Sequence, residues 1–367
     1  RQAVMSAHDY AVIMAGGGGT RLWPLSRAGR PKQMLALFDH KTLFEIAVER
    51  LNGVFPPERI YVVTVAEQAA ALQQICPQIP RENYLIEPLP RGTAAVVGYA
   101  AAALSAIDPQ AAMVVLTADH FIKNVPEFQL LLSAALEQAR GGNLVTLGIY
   151  PTFPATGYGY VQRGEKLSGD FLKDAYRVIK FKEKPDVDAA RAMLSDGQHL
   201  WNSGMFIWRT DRILEEFALW MPDLYSVLEQ IQENWAKPGC EALIQTLWAE
   251  IIPETIDYGI MEKAEQVVVI PAIDLGWNDV GSWDSLFEVL PADADGNLAL
   301  SQPVLVKRSS GNLIFSEEEG KLIALLGVNG LVVIDTPRAL LVCSKEQAQS
   351  LREIVSGVRE RGLGEYL

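Results

Sequence analysis

The chain has 367 residues, of which 49% are hydrophobic and 21% are charged; this balance is typical of a folded globular protein and excludes a largely disordered one. Its formal net charge is −13, and so acidic a surface disfavours binding to nucleic acid, although a few clustered cations still permit a small phosphorylated ligand. The length predicts one large domain with an appendage, or two domains.

Cysteine usage and hydropathy favour a soluble, cytoplasmic protein. The cysteines, Cys76, Cys240 and Cys343, lie far apart in an odd number, as expected of reduced thiols. The longest uncharged stretch of low polarity, at 92–107, is shorter than the ~20 apolar residues that a membrane span needs. Residues 1–10 lack the apolar core of a signal peptide. We therefore expect no membrane and no nucleic-acid partner.

The first half of the chain alternates short β-branched runs with helical patterns. Strands are predicted at 11–15, 60–65, 84–86, 113–117 and 144–149. Helices are predicted at 42–51, 68–75, 93–107 and 127–140. This alternation predicts an α/β fold with a Rossmann-like, doubly wound and mainly parallel sheet. Such sheets bind ligands beyond the carboxyl ends of their strands.

The second half changes character twice. More polar strands are predicted at 158–162, 176–182 and 205–209, followed by helices from residue 211 onward. Residues 293–297 have the composition of a linker, and beyond them short apolar strands are predicted at 304–306, 312–315, 322–326, 331–334 and 339–342, before a closing helix. We predict a main domain at 1–292 and a small β tail with a helical cap at 293–367.

A glycine-rich segment follows the first predicted strand. Residues 16–19 are all glycine, but neither the dinucleotide pattern G-x-G-x-x-G nor a P-loop follows. Backbone N–H groups in such a segment can approach an anion closely. Four cations, Arg21, Arg27, Arg30 and Lys32, come soon after the glycines in an otherwise acidic chain. The segment therefore predicts a polyphosphate site.

Asp119 ends the very apolar run at 113–119, which contains the predicted strand at 113–117. A carboxylate in such surroundings is costly unless it is paired or binds a cation, and Mg²⁺ suits one or two carboxylates together with phosphate oxygens. The alternative is that Asp119 caps the N-terminus of the next element.

The glycine segment belongs to a longer motif, G-G-x-G-x-R-L-x-P-L-S from Gly16, followed by P-K-Q at 31–33. This motif resembles that of the nucleotidyltransferases that join a sugar 1-phosphate to a nucleoside triphosphate, and the variant with Trp23 and Gln33 resembles the mannose-1-phosphate guanylyltransferases. Further blocks agree in order: E-P-x-x-R with T-A at 87–94, L-T-A-D-H at 116–120, F-K-E-K-P at 181–185, W-N-S-G at 201–204 and W-N-D-V-G-S-W at 277–283.

The resemblance implies a reaction in which GMP passes from GTP to mannose 1-phosphate, giving GDP-mannose and pyrophosphate. The attacking phosphate is already an anion at neutral pH, so no general base is required. The resemblance implies that Arg21 binds the leaving pyrophosphate, that Lys32 neutralises charge near the α-phosphate, and that Lys184 binds the phosphate of the sugar.

Further site residues are implied in the same way. The nucleotide-binding residues implied are Gly16, Gly17, Gly18, Gly19, Thr20, Glu87, Arg91 and Thr93. The sugar-phosphate-binding residues implied are Tyr158, Gly159, Glu183, Lys184 and Asn202. The implied Mg²⁺ ligands are Asp119 and Asp279, although Asp279 could instead form a turn. Gly92 departs from the asparagine usual in the family, which leaves strictness for guanine open.

The tail is similar to the short left-handed β-helix of the single-function members, whose catalytic domain has a GT-A-like fold. We expect a homodimer through this tail, because its short strands have little room to bury both faces. Two other functions remain open: a nucleotidyltransferase that acts on another sugar 1-phosphate or is relaxed in its choice, and a non-catalytic nucleotide-sugar sensor.

Overall fold

Strands form where β-branched and aliphatic residues follow one another. The computed structural model describes residues 5–367. Residues 1–4, which belong to the segment predicted to lack the apolar core of a signal peptide, lie outside the described part. The strands are, in chain order, β1 (Asp9–Met14), β2 (Ala36–Phe38), β3 (Lys41–Thr42), β4 (Ile60–Val65), β5 (Tyr84–Glu87), β6 (Ala112–Thr117), β7 (Phe121–Ile122), β8 (Leu144–Ile149), β9 (Tyr160–Lys166), β10 (Tyr176–Lys182), β11 (His199–Arg209), β12 (Val267–Ala272), β13 (Trp277–Asn278), β14 (Leu298–Ala299), β15 (Val304–Lys307), β16 (Leu313–Ser316), β17 (Ile323–Leu326), β18 (Leu331–Asp335) and β19 (Leu340–Ser344).

Helices alternate with these strands in the first half and cluster in the middle of the chain. The α-helices are α1 (Leu43–Glu49), α2 (Ala66–Ile75), α3 (Gly92–Ile107), α4 (Val125–Arg140), α5 (Val187–Asp196), α6 (Thr210–Trp220), α7 (Pro222–Asn234), α8 (Cys240–Trp248), α9 (Leu286–Val289) and α10 (Leu351–Glu360). A π-helix spans Asp257–Met261. Within residues 5–367, no helix combines the length and apolar character needed to cross a lipid bilayer.

Internal contacts divide the chain into two compact units. The first unit comprises residues up to Gly16, Val48–Thr117 and Asn124–Leu275, and the second comprises Gly17–Ala47, Ala118–Lys123 and Gly276–Leu367. The second unit thus holds the predicted tail together with three earlier pieces of chain. The sequence boundary after residue 292 stays a prediction.

In the first unit, nine strands form one sheet in the order β5-β4-β1-β6-β11-β8-β12-β10-β9. Strands β5, β4, β1 and β6 are parallel neighbours, as are β8 and β12, whereas β11 runs antiparallel to β6 and β8. The α/β class with a parallel sheet is confirmed. Strand β12 was not predicted, because a short apolar run after a helical region cannot be distinguished from more helix by periodicity.

Both faces of this sheet are covered. Tyr10 and Val12 of β1 belong to a core cluster with residues of α3, α6, α7 and α8. Ala11 and Ile13 point to the opposite face and are fully buried as well, which is typical of parallel strands between helical layers. Helix α4 contacts β6, β8, β11 and β12.

In the second unit, residues after 297 form stacked parallel turns. Strands β14, β16 and β18 are parallel neighbours, as are β15 and β17, and β19 adds an antiparallel edge. The buried Asn312 joins successive turns, since its side chain donates to Asn297 Oδ1 at 3.0 Å and accepts from the backbone N–H of Leu331 at 2.8 Å. This arrangement confirms the β-helix-like tail.

Candidate functional site

The glycine segment of the second unit is an open loop. Gly17 and Gly18 are exposed, and a Cβ added to Gly17, Gly18 or Gly19 would meet no atom within 4 Å. The buried Gln33 holds the loop by donating from Nε2 to the carbonyl of Gly17 at 2.9 Å. Open space beside a run of glycines leaves room for a phosphate group to approach the backbone.

The loop continues into a turn in which the backbone N–H of Trp23 donates to the carbonyl of Thr20 at 3.0 Å. Arg21 is exposed on this turn. Its guanidinium therefore remains in contact with solvent, as a group that is to meet an incoming polyphosphate must be.

Lys32 is buried in the same unit, and its ammonium contacts two of the predicted site residues. Its Nζ lies 3.2 Å from Asp119 Oδ2 and also donates to the carbonyl of Asp279. Strands β7 and β13, which pair antiparallel, bring the two aspartates to this lysine. Residues far apart in the sequence, Lys32, Asp119 and Asp279, therefore meet.

Asp119 is held ionised in this cluster. Burial opposes its ionisation, but the charges of Lys32, His120 and Arg21 outweigh that cost and lower the pKa of Asp119. His120 Nε2 lies 3.8 Å from Asp119 Oδ1, while the indole of Trp277 donates to His120 Nδ1 at 3.2 Å. A donated hydrogen bond at Nδ1 leaves the ring proton on Nε2, facing the carboxylate.

The donor set fits Mg²⁺. Among the described residues, no group of three or more His, Cys, Asp or Glu side chains is placed to hold a metal ion. Mg²⁺ bound to nucleotides takes only one or two carboxylates and completes its shell with water and phosphate oxygens. Asp119, ionised and with a side chain that is 36% exposed, meets that requirement. The carboxylate of Asp279 accepts from the backbone N–H of Gly281 at 3.2 Å, as in the turn given as its alternative role, so its contact with a metal ion stays a prediction.

In the first unit, Glu87 ends β5 close to Gly16 at the end of β1. A Cβ added to Gly16 would lie 3.5 Å from Glu87 Oε1. Glu87 is 2% exposed, and its Oε2 has no hydrogen-bond partner within the described structure. Burial raises the pKa of Glu87 to about 7, although hydrogen bonds from the Arg91 backbone and the Trp248 side chain act against the shift.

Arg91 and Thr93 contact the protein backbone. Arg91 donates to the carbonyls of Trp248 and Ala249, at 3.3 and 2.8 Å. Thr93 Oγ1 accepts from the backbone N–H of Ile256 at 2.9 Å. Both side chains thus fix the loop that carries Glu87, and their contact with a nucleotide stays a prediction.

The predicted sugar-binding residues come together in the first unit where β9, β10 and β11 meet. The backbone N–H of Asn202 donates to the carbonyl of Gly159 at 2.8 Å. A Cβ at Gly159 would lie 2.4 Å from Glu183 Oε2, so a larger residue there would displace the carboxylate of Glu183. Lys184 Nζ lies 3.7 Å from Glu183 Oε1, and the ring of Tyr158 lies 5.0 Å from that of Trp201.

Asp257 joins this group and was missed by the sequence analysis. Its Oδ1 accepts from Asn202 Nδ2 at 2.9 Å. Burial and the charge of Glu183 raise the pKa of Asp257 to about 6. The sequence offers no signal that distinguishes Asp257, because Glu254 and Glu262 lie within five residues of it.

Comparison with known proteins agrees with these observations. The nucleotidyl transferase family matches residues 10–296, and the family described as MannoseP isomerase/GMP-like beta-helix domain matches residues 304–357. The mannose-1-phosphate guanylyltransferase of Klebsiella pneumoniae is 38% identical over 363 residues, which cover 97% of this chain and 75% of that protein. The mannose-1-phosphate guanylyltransferase of Escherichia coli K12 is 35% identical over 371 residues, with coverage of 97% and 75%.

A solved structure shares the fold along nearly the whole chain. It is described as a mannose-1-phosphate geranyltransferase from Thermus thermophilus and is 34% identical, with a TM-score of 0.85 over 96% of this chain and 99% of that one. The family match covers more than half of the chain, and the curated relatives extend it through the β-helix-like tail. This chain therefore belongs to the nucleotidyl transferase family, as an enzyme of the mannose-1-phosphate guanylyltransferase group.

Proposed function

We propose that this chain transfers GMP from GTP to α-D-mannose 1-phosphate, giving GDP-mannose and pyrophosphate. The observation that carries the proposal is the buried Lys32, whose ammonium contacts the carboxylate of Asp119 and the backbone carbonyl of Asp279. Such a cluster suits the neutralisation of phosphate charge, which is the main task in phosphoryl and nucleotidyl transfer. The names of relatives at 35–38% identity support the choice of substrates.

The attacking group is the phosphate of the sugar, which is an anion at neutral pH and needs no base. The open backbone of Gly17, Gly18 and Gly19 would receive the triphosphate, with Thr20 in the following turn. Arg21 would neutralise the leaving pyrophosphate and Lys32 the α-phosphate. Asp119 and Asp279 would hold Mg²⁺, which when bound supplies further neutralisation of phosphate charge.

The first-unit residues would select the base and the sugar. We assign the guanine to Glu87, because an ionised carboxylate can accept from both the N1–H and the exocyclic amine of this base. Gly16 would leave the approach to Glu87 open, while Arg91 and Thr93 fix the loop. Lys184 would bind the phosphate of mannose 1-phosphate.

The sugar hydroxyls would meet the remaining predicted residues. These are Tyr158, Gly159, Glu183 and Asn202. Carboxylate and amide groups are suited to hydroxyls because they accept and donate hydrogen bonds in fixed directions.

The experiment that tests this proposal is pyrophosphate release measured over a panel of nucleoside triphosphates crossed with sugar 1-phosphates, with and without Mg²⁺. We expect the highest kcat/KM with GTP and mannose 1-phosphate, and loss of activity when the divalent cation is chelated. Comparable rates with UTP and glucose 1-phosphate would refute the substrate assignment, and nucleotide-sugar binding without turnover would favour a sensor.

We further propose a cytoplasmic homodimer. The cysteines, Cys76, Cys240 and Cys343, lie far apart in the sequence and in an odd number, which supports a reducing compartment. Exposed apolar side chains in the tail support a partner surface there; they include Leu305, Leu322, Leu326, Leu340 and Val342.

A further inference from the structure

Asp257 opens the π-helix that spans Asp257–Met261. Single turns of π-helix are rare and are found disproportionately at functional sites. The turn places the carboxylate of Asp257, which is half-buried, beside Asn202, one of the residues assigned to the sugar. The position of Asp257 therefore indicates a role in sugar binding, which no sequence motif predicted.

The amide of Asn202 has a fixed orientation. Its Oδ1 accepts from the backbone N–H of Gly204 at 3.1 Å and contacts Thr146 Oγ1 at 3.4 Å. Nδ2 is therefore the donor that reaches Asp257 Oδ1 at 2.9 Å. An amide nitrogen has two N–H groups, so Asn202 has a second hydrogen to offer next to the carboxylate of Asp257.

The surroundings of Asp257 are rich in acceptors and poor in cations. Glu183 and Glu262 both act on Asp257 as like charges, and both disfavour its ionisation. The nearby Lys184 lies 3.7 Å from Glu183. Among the described residues, the side chain of Asn202 is the one that donates a hydrogen bond to Asp257.

This pattern indicates the chemistry of the group that would bind there. Several carboxylates repel a phosphoryl group, so the phosphate of a substrate is disfavoured at Asp257. A hydroxyl group both donates and accepts, and a carboxylate beside an amide N–H offers one partner for each role. A hydroxylated sugar ring is the part of a sugar 1-phosphate that matches this pair.

We propose that Asp257 is a specificity-determining residue that accepts a hydrogen bond from one hydroxyl of the sugar 1-phosphate while it orients the amide of Asn202. This inference rests on the proposed function, because it assigns a role within the sugar subsite of that reaction. It adds a sugar contact to those implied by the sequence motifs.

The test is a cycle between a substitution in the protein and a deletion in the substrate. Asp257→Asn keeps the size of the side chain and an oxygen for Asn202, but it removes the carboxylate. KM and kcat are measured for wild type and variant with mannose 1-phosphate and with its 2-, 3-, 4- and 6-deoxy analogues. We expect Asp257→Asn to raise the KM for mannose 1-phosphate at least about tenfold, as for a charged hydrogen bond, with the KM for GTP unchanged.

Coupling at a single hydroxyl is the decisive result. With the deoxy analogue that lacks the hydroxyl bound by Asp257, the variant and wild type should differ by less than about threefold, because the contact is already missing. With the other analogues the full difference should persist. If Asp257→Asn unfolds the protein, Asp257→Ser offers a smaller neutral acceptor for the same cycle.

Glu262→Gln is the matched control. Glu262 is exposed and acts electrostatically on both Asp257 and Glu183. Removing its negative charge should leave the KM for the anionic substrate unchanged or lower it. A rise in KM with Asp257→Asn alone therefore indicates a lost hydrogen bond rather than altered charge.

Three results would overturn the inference: an equal rise in KM with every analogue, a parallel rise in the KM for GTP, or no change at all. Failure of the proposed function would look different, since wild type itself would then not turn over GTP with mannose 1-phosphate. In that case the same cycle is run with the sugar 1-phosphate that the enzyme uses.

Discussion

Lys184 has a backbone φ of 45°, in the left-handed region that side chains other than glycine rarely adopt. Such strain costs roughly 1–3 kcal/mol and collects at functional sites. The side chain is 59% exposed and lies 3.7 Å from Glu183. Few contacts within the folded protein therefore offset the energetic cost of this backbone conformation. A contact between Lys184 and a bound phosphate would offset that cost.

We expect Lys184→Ala to raise the KM for mannose 1-phosphate by one to two orders of magnitude, equivalent to about 1.5–3 kcal/mol, because a charge-assisted contact to one substrate is lost. GTP affinity, measured by direct binding without sugar, should change little. Lys182→Ala is the control, since Lys182 is exposed at the end of β10, two residues before Lys184. Equal effects on both substrates would contradict the assignment.

Glu87 should make GTP binding depend on pH. Burial raises its pKa to about 7, and only the ionised carboxylate accepts both donors of guanine. The KM for GTP should therefore fall about tenfold between pH 6 and pH 8 and level off above. In Glu87→Gln this dependence should flatten, and a slope that persists in the variant would assign the titration to another group.

The same substitution provides its own stability control. Because the pKa of Glu87 in the folded protein lies above its ordinary value of 4.5, the folded state binds a proton that the unfolded state releases, and stability decreases as pH rises from about 4.5 to 7. Glu87→Gln should thus raise Tm at pH 8 even as it weakens GTP binding. A lower Tm would mean that the variant loses GTP through unfolding.

At the scale of single elements, the loop before α3 and the segment before the π-helix are tightly joined. The backbone N–H of Ala94 donates to the carbonyl of Glu254 at 3.1 Å, and that of Glu254 donates to the carbonyl of Arg91 at 3.3 Å. Gly92 has a φ of +82°, and a Cβ there would lie 2.2 Å from the carbonyl oxygen of Glu254. The departure from asparagine at Gly92 thus permits a close backbone contact.

We expect Gly92→Ala to lower Tm by several degrees and kcat/KM by at least about tenfold, since the clash displaces the segment that leads to Asp257. Gly53→Ala is the control that separates the effect of the clash with Glu254 from the effect of the positive φ. Gly53 has a similar φ of +83°, but its Cβ would meet nothing within 4 Å. Equal effects of the two substitutions would show that the contact with Glu254 is unimportant.

Most elements of this fold can be predicted from the sequence. Strands β4, β8 and β10 have the predicted bounds, because β4 and β8 are runs of mostly β-branched and aliphatic residues and β10 mixes polar with apolar residues over seven positions. The π-helix was not foreseen, since its backbone depends on packing between segments distant in sequence. The same limit hid Asp257, whereas Lys32, Asp119 and Asp279 could be selected by motif before their contacts were known.

At the scale of the whole molecule, we expect a dimer by light scattering at micromolar concentration. Leu326 and Leu340 in the tail are 63% and 59% exposed, and Leu326→Glu combined with Leu340→Glu should shift the protein to a monomer, because a charge buried at an apolar interface is costly. Ile179→Glu is the control, since Ile179 of β10 is 64% exposed outside the tail. A wild-type monomer would contradict the dimer.

The second unit is assembled from segments at both ends of the chain. The indole of Trp23 donates to the carbonyl of Tyr366 at 2.7 Å, and the indole of Trp283 donates to the carbonyl of Trp23 at 3.0 Å. During translation, at about 5–20 residues per second, Trp23 leaves the ribosome many seconds before either partner exists. The turn that follows the glycine loop therefore stays without these supports on the nascent chain, and a product truncated before residue 276 contains every segment of the first unit but neither of the residues that hold Trp23.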